Sequence, residues 1–350
     1  MQKAMHTNVR REIVFLILGV LGVFTLEGCM GTRQTHQNPA VHTAGSIERL
    51  DSGLDSILNT DAAVEVIATG FNWSEGPVWV EQEQMLLFSD VPENTVYKWS
   101  EEAGLEPYLK PSGYTGSEPR GGETGSNGLL LTGNGQLLLC QHGDRRLAVM
   151  NTPLDQPAPE FTAVADNFQG KKFNSPNDAV LRSNGDVFFT DPPYGLEKGV
   201  KDPVRELDFQ GVYKADANGQ VTLLIDSITR PNGIALTPDE KTLVVANSDP
   251  HKAIWYTFDL DPQDTLINPG VLLDVTGEVG KAAGLPDGLK ISNNGTIFAS
   301  GPGGIWIFAK DRKLLGKIKV DGVASNCALD ESRQTLYITA DSLVLRVKMR

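Results

Sequence analysis

From residue 64 onward, short apolar runs alternate with polar turns, and one arrangement recurs six times. Each repeat begins with a polar residue, continues as an apolar strand, turns tightly and ends with a second apolar strand. The motifs that open the repeats, whose first residues we call the anchor residues, are Glu75-Gly76-Pro77, Asn127-Gly128-Leu129, Asn177-Asp178-Ala179, Asn232-Gly233-Ile234, Asp287-Gly288-Leu289 and Asn326-Cys327-Ala328. They lie 39 to 55 residues apart, close to the ~40 to 50 residues of a propeller blade. The pattern predicts an all-β fold, a six-bladed β-propeller.

Turn signals separate the paired strands of several repeats. Asn-Gly pairs occupy residues 134–135, 184–185 and 294–295, and Asn-Gly supplies the positive φ angles of a type I′ turn. Further β-like runs between the hairpins predict the outer strands of the blades, for example residues 96–99 and 305–308. Residues 64–69 are expected to close the ring against residues 344–347. A two-domain β-sandwich, the alternative fold, does not explain the fixed place of the anchor residues.

A short helical lead is predicted before the first repeat, over residues 46–58. Ser46 is a suitable helix cap, and helical spacing places apolar residues on one face. These residues are Ile47, Leu50, Leu54, Ile57 and Leu58. We therefore expect the propeller domain, with this lead, to span residues 46–350.

The first residues have the pattern of an export signal. Lys3, Arg10 and Arg11 precede an apolar run over residues 13–26, which is too short for a comfortable transmembrane span. Residues 1–29 are therefore predicted to be a signal peptide and residues 30–45 a polar tether. The predicted location is outside the cytoplasm, in a periplasm or tethered to a membrane, and the membrane is a partner only through this N-terminal segment.

The end of the apolar run, Leu26-Glu27-Gly28-Cys29, resembles a bacterial lipoprotein signal, in which lipid is attached to the cysteine. Glu27 departs from that pattern, because a small or apolar residue usually stands there. Cleavage by ordinary signal peptidase, or retention of the segment as an anchor, are the alternatives to lipidation.

Composition and charge restrict the partners. The chain has 350 residues, of which 40% are apolar and 21% charged, and a formal net charge of −13. Nucleic acid and anionic membrane surfaces are therefore not expected partners. Apart from Cys29 the cysteines are Cys140 and Cys327. They are interpreted as small buried apolar residues, with the question of a disulfide between them left open.

The anchor residues also predict chemistry. Equivalent positions of successive blades converge on the propeller axis, and all six anchor side chains carry oxygen. Two carboxylates with several amide carbonyls suit a hard divalent cation such as Ca²⁺ better than Zn²⁺ or copper. The alternative is that these polar residues only cap backbone groups in turns. A second layer on the same face is predicted from the ends of the second strands, at Asp90, His142, Asp191, Asn247 and Asp341.

The motifs resemble a known family, the six-bladed propellers that include gluconolactonases, senescence marker protein and luciferin-regenerating enzyme, and the order of the motifs resembles its bacterial gluconolactonase branch. The resemblance covers about residues 47–350. The motifs that carry it are Ser74-Glu75-Gly76-Pro77-Val78-Trp79, Asn127-Gly128-Leu129, Cys140-Gln141-His142-Gly143, Ser175-Pro176-Asn177-Asp178, Phe189-Thr190-Asp191-Pro192-Pro193-Tyr194-Gly195, Pro231-Asn232-Gly233 and Leu285-Pro286-Asp287-Gly288.

The resemblance implies one catalytic divalent cation, usually Ca²⁺, with Mg²⁺ or Mn²⁺ as alternatives. The positions that match its ligands are Glu75, Asn177, Asn232 and Asp287. Asp287 is also implied to be the catalytic base or nucleophile, and Asn127 to contact substrate. Gln141 departs from the Glu often found before His-Gly, which changes local hydrogen bonding but removes no ligand.

Two further residues of the second blade are predicted substrate contacts, His142 and Arg145. The alternative is that His142 is a buried structural histidine and Arg145 a surface ion-pair partner. The Gly-rich loop over residues 113–125 is expected to cover the pocket. Its glycines lack the spacing and the strand-to-helix setting of a phosphate loop, so no nucleotide site is predicted.

The expected activity is metal-dependent hydrolysis of a small sugar lactone, similar to gluconolactone, to the aldonic acid. A cation would polarise the ring carbonyl, and Asp287 would activate the attacking water. Within enzymes the alternative is a promiscuous esterase or phosphotriesterase with the same ligands. From another class, the alternative is a non-catalytic propeller that acts as a binding scaffold. No Gly-x-Ser-x-Gly motif is present to favour a serine nucleophile.

Overall fold

The structure, a computed structural model, describes residues 42–350. The predicted signal peptide over residues 1–29, the lipidation at Cys29 and the tether through residue 41 lie outside the described residues. The propeller extends to His42, because the backbone of Ala44 donates to the Val64 carbonyl and that of Val66 to the His42 carbonyl.

Short strands make up most of the described chain. In order they are β1 (Ser46–Arg49), β2 (Glu65–Thr69), β3 (Ser74–Val80), β4 (Met85–Asp90), β5 (Thr95–Ser100), β6 (Gly104–Leu109), β7 (Ser126–Leu131), β8 (Leu137–Gln141), β9 (Arg146–Met150), β10 (Phe161–Ala165), β11 (Asn167–Phe168), β12 (Lys171–Lys172), β13 (Ala179–Leu181), β14 (Val187–Asp191), β15 (Gly211–Ala215), β16 (Val221–Ile225), β17 (Pro231–Leu236), β18 (Thr242–Asp249), β19 (Lys252–Leu260), β20 (Leu266–Asp274), β21 (Leu289–Ile291), β22 (Ile297–Gly301), β23 (Gly304–Phe308), β24 (Leu314–Lys319), β25 (Ala324–Asp330), β26 (Thr335–Ala340) and β27 (Leu343–Lys348). Three 3₁₀ turns span Ser52–Ser56, Gly199–Lys201 and Thr276–Glu278. No helix within residues 42–350 is long and apolar enough to span a membrane.

Six antiparallel sheets form the blades. Blades 1 to 4 are β3–β6, β7–β10, β13–β16 and β17–β20, and each is ordered as in the chain. Blade 5 consists of β21–β24 and blade 6 of β25–β27 with β2. The first strands contact each other in a closed circle, β3 with β7, β7 with β13, and so on to β25, which contacts β3 again. These strands therefore surround the axis, and the predicted six-bladed β-propeller is confirmed.

Ring closure occurs where the sequence predicts it. The strand β2 pairs antiparallel with β27, with Glu65 opposite Arg346 and Thr69 opposite Leu343. The outermost strand of the last blade thus comes from the start of the domain. Closure also appears in the packing, because the rings of Trp79 in blade 1 and Tyr337 in blade 6 stack with centroids 5.3 Å apart.

The predicted helical lead is wrong. Its first residues form β1, which pairs with the outer edge of blade 5 so that Ser46 lies opposite Lys319. Only one 3₁₀ turn follows, and it is capped by Asp51, whose Oδ1 accepts from the Gly53 amide at 2.9 Å. Leu54 is fully buried but Leu50 is half exposed. The free hydrogen-bonding edge of β24 outweighs the local helical pattern.

The hairpin turns lie where the Asn-Gly pairs predict them, but they are not type I′ turns. At the first pair, Gly135 has a φ of 81°, while Asn134 does not have a positive φ. The Gly135 amide donates to the Thr132 carbonyl, and the Thr132 amide donates to the Gln136 carbonyl. This is the pattern of a three-residue loop in which only the glycine is left-handed.

Apolar side chains pack between neighbouring blades. Phe88, Phe189, Trp255 and Tyr337 are among the buried aromatic side chains. Cys140 and Cys327 are both buried and both free. The question of a disulfide is therefore answered, since the two thiols are not paired.

Candidate metal centre and active site

Five of the six anchor residues line one cavity of about 430 Å³ at one end of the axis. They come from blades 1 to 5, and they are Glu75, Asn127, Asn177, Asn232 and Asp287. All four residues that match the ligands of the related family are in this set. The convergence that the repeat predicts is therefore present in the structure.

Backbone irregularities aim the anchor side chains at the axis. The pairing of β3 with β4 shifts register between Glu75 and Val78, and β7 with β8 shifts between Ser126 and Leu129. In blades 3 and 5 the first strand begins only after the anchor residue, at Ala179 and Leu289. In each case the anchor residue leaves the regular ladder, as residues at a β-bulge do next to many active sites.

The glycine after an anchor residue allows close approach of the next blade. A Cβ atom on Gly128 would lie 2.7 Å from the Asn177 carbonyl oxygen, and one on Gly233 would lie 2.2 Å from that of Asp287. Real Cβ atoms do not approach other atoms this closely, so any side chain at these positions would push the neighbouring blade away. The Asn-Gly pairs at these positions thus serve inter-blade packing, which the alternative interpretation as turn dipeptides does not capture.

Two amide side chains turn their nitrogen toward the protein. The Nδ2 atom of Asn232 donates to Ser248 Oγ at 2.9 Å, and that hydroxyl donates to the Pro286 carbonyl at 2.5 Å. The Nδ2 atom of Asn177 lies 3.5 Å from Nε2 of His142. With the nitrogen atoms so placed, the carbonyl oxygen of each amide is available to the cavity.

Unpartnered buried oxygen atoms show that the cavity suits a cation. Asn127 Oδ1 and Asp287 Oδ1 are buried and have no hydrogen-bond partner among residues 42–350. Leaving such atoms unpaired costs about 1–3 kcal/mol each. The described residues contain no cluster of three or more His, Cys, Asp or Glu side chains of the kind that binds a metal. The donor set is therefore carboxylate and amide oxygen, which fits a hard cation such as Ca²⁺.

The charges in the cavity also favour the binding of a divalent cation. Burial, and then the charge of Asp178, raise the pKa of Glu75 to about 8 against the opposing hydrogen bond from the Gly76 amide. Burial and the charge of Glu75 raise the pKa of Asp287 well above its ordinary value. Confined carboxylates repel each other, and a bound dication relieves that repulsion.

The sixth anchor residue, Asn326, does not line the cavity and is turned differently. Its Oδ1 accepts from the Cys327 amide at 2.9 Å and from Lys290 Nζ at 3.2 Å. Its Nδ2 lies 3.4 Å from Glu75 Oε2, so it faces the carboxylate as a donor. Lys290 Nζ is also 3.6 Å from Asp178 Oδ2. Asn326 therefore orients Glu75 and does not offer an oxygen to the cavity.

Neither predicted substrate contact of blade 2 lines the cavity. His142 is fully buried behind Asn177. The guanidinium of Arg145 donates to the carbonyls of Phe173 at 2.7 Å and Val204 at 2.9 Å, which fastens a surface loop. His142 is thus a buried histidine, as its structural interpretation has it, whereas Arg145 is not a surface ion-pair partner, because it is buried and its hydrogen bonds go to backbone carbonyls.

The predicted second layer is present in part. The side chain of Asp191 accepts from the Asn174 amide at 2.8 Å and the Ser175 amide at 2.7 Å, just before Asn177. Asp90 does the same in blade 1, where it accepts from the amides of Asn72 and Trp73. These carboxylates fix the backbone that precedes the anchor residues.

Sequence reasoning missed several residues of the cavity wall. They are Trp73, Glu123, Tyr194, Arg230 and Ser248. Glu123 comes from the Gly-rich loop over residues 113–125, the segment expected to cover the pocket. Trp73 and Arg230 each lie two residues before an anchor residue, and that shared position is a signal present in the sequence.

The fold and the site together define a β-propeller with an axial, oxygen-lined pocket for a small molecule. Residues 73–342 match the family described as the SMP-30/Gluconolactonase/LRE-like region. The chain belongs to this family, and the resemblance drawn from the motifs is confirmed.

Individual relatives agree with this assignment. The chain is 38% identical over 340 residues to a gluconolactonase of Zymomonas mobilis, which covers 95% of this chain and 94% of that protein. A lactonohydrolase of Aspergillus oryzae is 22% identical over 217 residues, with 56% of this chain and 49% of that protein covered.

Solved structures show the same fold. A gluconolactonase from Xanthomonas campestris superposes with a TM-score of 0.75 and 26% identity over 90% of this chain and 99% of that chain. The calcium-binding protein regucalcin of Agrobacterium tumefaciens has a TM-score of 0.62 at 18% identity, over 81% of this chain and 94% of that one. The second likeness concerns the fold alone.

Proposed function

We propose that the protein hydrolyses a sugar lactone similar to gluconolactone to the aldonic acid, with the help of one bound divalent cation, most favourably Ca²⁺. The observation that carries the proposal is the convergence of five oxygen-bearing anchor side chains on one cavity, with Asn127 Oδ1 and Asp287 Oδ1 unpartnered. The 38% identity to a gluconolactonase over nearly the whole chain supports the choice of substrate class.

Glu75, Asn177, Asn232 and Asp287 would bind the cation. When bound, a divalent cation polarises a lactone carbonyl and stabilises the oxyanion that develops on it. Two carboxylates oppose its charge, so a neutral lactone enters a site of low net charge.

Asp287 is suited to activate water. Its Oδ1 has no hydrogen-bond partner among residues 42–350, and the residue lines the cavity, so this oxygen is available to take a proton from water. Water adds to the lactone carbonyl as Asp287 takes its proton, the bond from the carbonyl carbon to the ring oxygen breaks, and the proton passes to that oxygen. The product is the open hydroxy acid.

The remaining wall provides contacts for a sugar. A cavity of about 430 Å³ lies within the range of small-molecule sites. Asn127, Tyr194 and Ser248 line it with polar groups and Trp73 with an aromatic face. Hydroxyl groups and one apolar ring face are what a sugar lactone presents.

The test is hydrolysis of glucono-1,5-lactone by the full chain, with EDTA, with Ca²⁺ restored, and with Asp287→Asn. We expect activity to be lost to chelation, recovered with Ca²⁺ and absent in the variant. Asp321→Asn, at an exposed aspartate, is the matched control and should keep full activity.

Other outcomes identify the alternatives. Hydrolysis of aryl esters or phosphotriesters by a protein that binds Ca²⁺ but leaves the lactone intact would favour the promiscuous hydrolase. A protein that neither binds a divalent cation nor turns over any lactone would favour a binding scaffold and would refute the proposal.

We also propose that the chain is exported and lipidated at Cys29. The basic residues ahead of the apolar run over residues 13–26, and the position of Cys29 at its end, support this. Incorporation of labelled palmitate that is lost in Cys29→Ser is the expected result. A labelled Cys29→Ser protein, or an unlabelled wild type, would contradict it.

A further inference from the structure

A row of three side chains leads from the Gly-rich loop over residues 113–125 to an anchor residue. They are Glu123, His142 and Asn177. His142 Nδ1 lies 3.1 Å from Glu123 Oε2, and His142 Nε2 lies 3.5 Å from Asn177 Nδ2. The contact with Glu123 is close in distance but off the hydrogen-bond direction, so Nδ1 has no well-directed partner among residues 42–350. The His142 side chain has no exposed surface, whereas 34% of the Glu123 side chain is exposed.

These neighbours determine which ring nitrogen carries the proton. A carboxylate oxygen lies near Nδ1 and an amide nitrogen near Nε2, so a proton on Nδ1, with Nε2 left as the acceptor, suits both neighbours better than the reverse arrangement. Nε2 is then an acceptor for the Asn177 amide. Because an amide has its donor and its acceptor on the same carbon, a nitrogen turned to His142 leaves Oδ1 for the cavity.

The other amide ligand has the same arrangement with a different partner. Asn232 Nδ2 donates to Ser248 Oγ at 2.9 Å. Both amides that would bind the cation thus face a buried acceptor with their nitrogen, which two unrelated side chains provide. This agreement indicates a requirement of the site and not a local accident of packing.

The backbone around the imidazole restricts its movement. A Cβ atom on Gly195 would lie 2.7 Å from His142 Cβ, so the chain packs directly against this side chain. The guanidinium of Arg120 donates to the carbonyls of Gly143 and Gly195 and ties the two segments together. The ring therefore keeps Nε2 toward Asn177.

We propose that His142, held in place by the surrounding backbone, is a positioning residue that fixes the carbonyl oxygen of Asn177 toward the cation. The inference rests on the cation site of the proposed function. Without an acceptor at Nε2, the amide is free to turn by half a rotation, which places a donor where the cation needs an oxygen. Removal of such a partner typically weakens metal binding 10- to 100-fold.

The experiment compares Ca²⁺ dissociation constants by calorimetry for the full chain and two variants. His142→Leu removes the acceptor, and we expect it to weaken Ca²⁺ binding about 10- to 100-fold. His142→Gln keeps an acceptor oxygen at the end of the side chain and should restore most of the affinity. His251→Leu, at an exposed histidine, is the matched control and should bind as the wild type does.

A second background separates positioning from simple packing. Asn177→Asp replaces the amide with two equivalent oxygens, so its orientation no longer matters. Adding His142→Leu to Asn177→Asp should then weaken Ca²⁺ binding much less than it does in the wild type. An equal loss in both backgrounds would overturn the inference, as would equal losses for His142→Leu and His142→Gln.

Failure of the proposed function has a different signature. If the wild type binds no divalent cation, the cation site itself is refuted. If the wild type binds Ca²⁺ and folded His142→Leu binds it equally well, the cation site stands and the positioning role of His142 is refuted.

Discussion

Replacing Lys290 by methionine removes the cationic partner of the buried Asp178 carboxylate. The Lys290 ammonium lies 3.6 Å from Asp178 Oδ2, and the side chains are 27% and 3% exposed. It also donates to Asn326 Oδ1 at 3.2 Å. Methionine is similar in length and apolar, so the change removes charge and hydrogen bonds with little change in volume.

The expected cost follows from this geometry. Removing one partner of a buried ion pair costs about 3–5 kcal/mol, and the partial exposure of Lys290 places this pair below that range, at about 2–3 kcal/mol. For a chain of this length, 1 kcal/mol shifts Tm by about 2 °C. In the presence of EDTA, we therefore expect Lys290→Met to melt about 4–6 °C below the wild type.

Ca²⁺ should offset part of the loss of Tm in Lys290→Met. The variant has lost a positive charge beside Asp178, whose charge in turn acts on Glu75 and Asp287, so Ca²⁺ should raise its Tm by more than it raises that of the wild type. Scanning calorimetry with EDTA and with Ca²⁺ measures both effects. Lys290→Arg keeps the charge and should resemble the wild type. An unchanged Tm in Lys290→Met, or an arginine variant as unstable as the methionine variant, would refute the reasoning.

Three further predictions concern pH, packing and the blade 2 arginine. The pKa of Glu75 is raised to about 8 in the cation-free folded protein, whereas the unfolded chain releases this proton near pH 4.5. The stability of the cation-free protein should therefore fall as pH rises between these two values. The Ca²⁺ affinity should rise over the same range, and calorimetry should detect proton release on binding. Gly233→Ala should lower Tm and Ca²⁺ affinity because its Cβ would meet the Asp287 carbonyl, whereas Gly133→Ala, with open space around it, should change neither. Arg145→Met should lower Tm, because it removes the hydrogen bonds that fasten the surface loop, and should leave KM for lactone unchanged; a large rise in KM would place the arginine at the substrate.

The repeat made the fold predictable, because a six-fold recurrence is a signal over the whole chain. The lead was not predictable in the same way. Its apolar spacing is helical, but the residues from Ser46 to Arg49 pair with β24, whose free edge lies more than 260 residues away in sequence. A pairing over such a separation leaves no trace in the local pattern.

The residues of the site were also predictable only in part. Oxygen side chains at equivalent positions of a repeat must converge, so Glu75 and Asp287 were found from the sequence. Which amides offer their oxygen depends on neighbours from other blades. Asn326 is turned away by Lys290, and Asn177 is faced by a histidine from the blade before it. Such contacts are made only when neighbouring blades pack against each other.

The anchor motifs connect the integrity of the ring to the chemistry of the site. Hydroxyl groups on the second strands donate to the backbone of the next anchor segment, from Ser89 to the Asn127 carbonyl at 2.9 Å and from Thr190 to the Asn232 carbonyl at 2.6 Å. Across the closure, Ser325 donates to the Ser74 carbonyl at 2.7 Å. Each ligand is thus positioned by the blade before it, so the geometry of the site is a property of the whole circle. The cation of the proposed function would be bound by four blades, so it would stabilise their contacts, and its binding free energy would add to the stability of the closed ring.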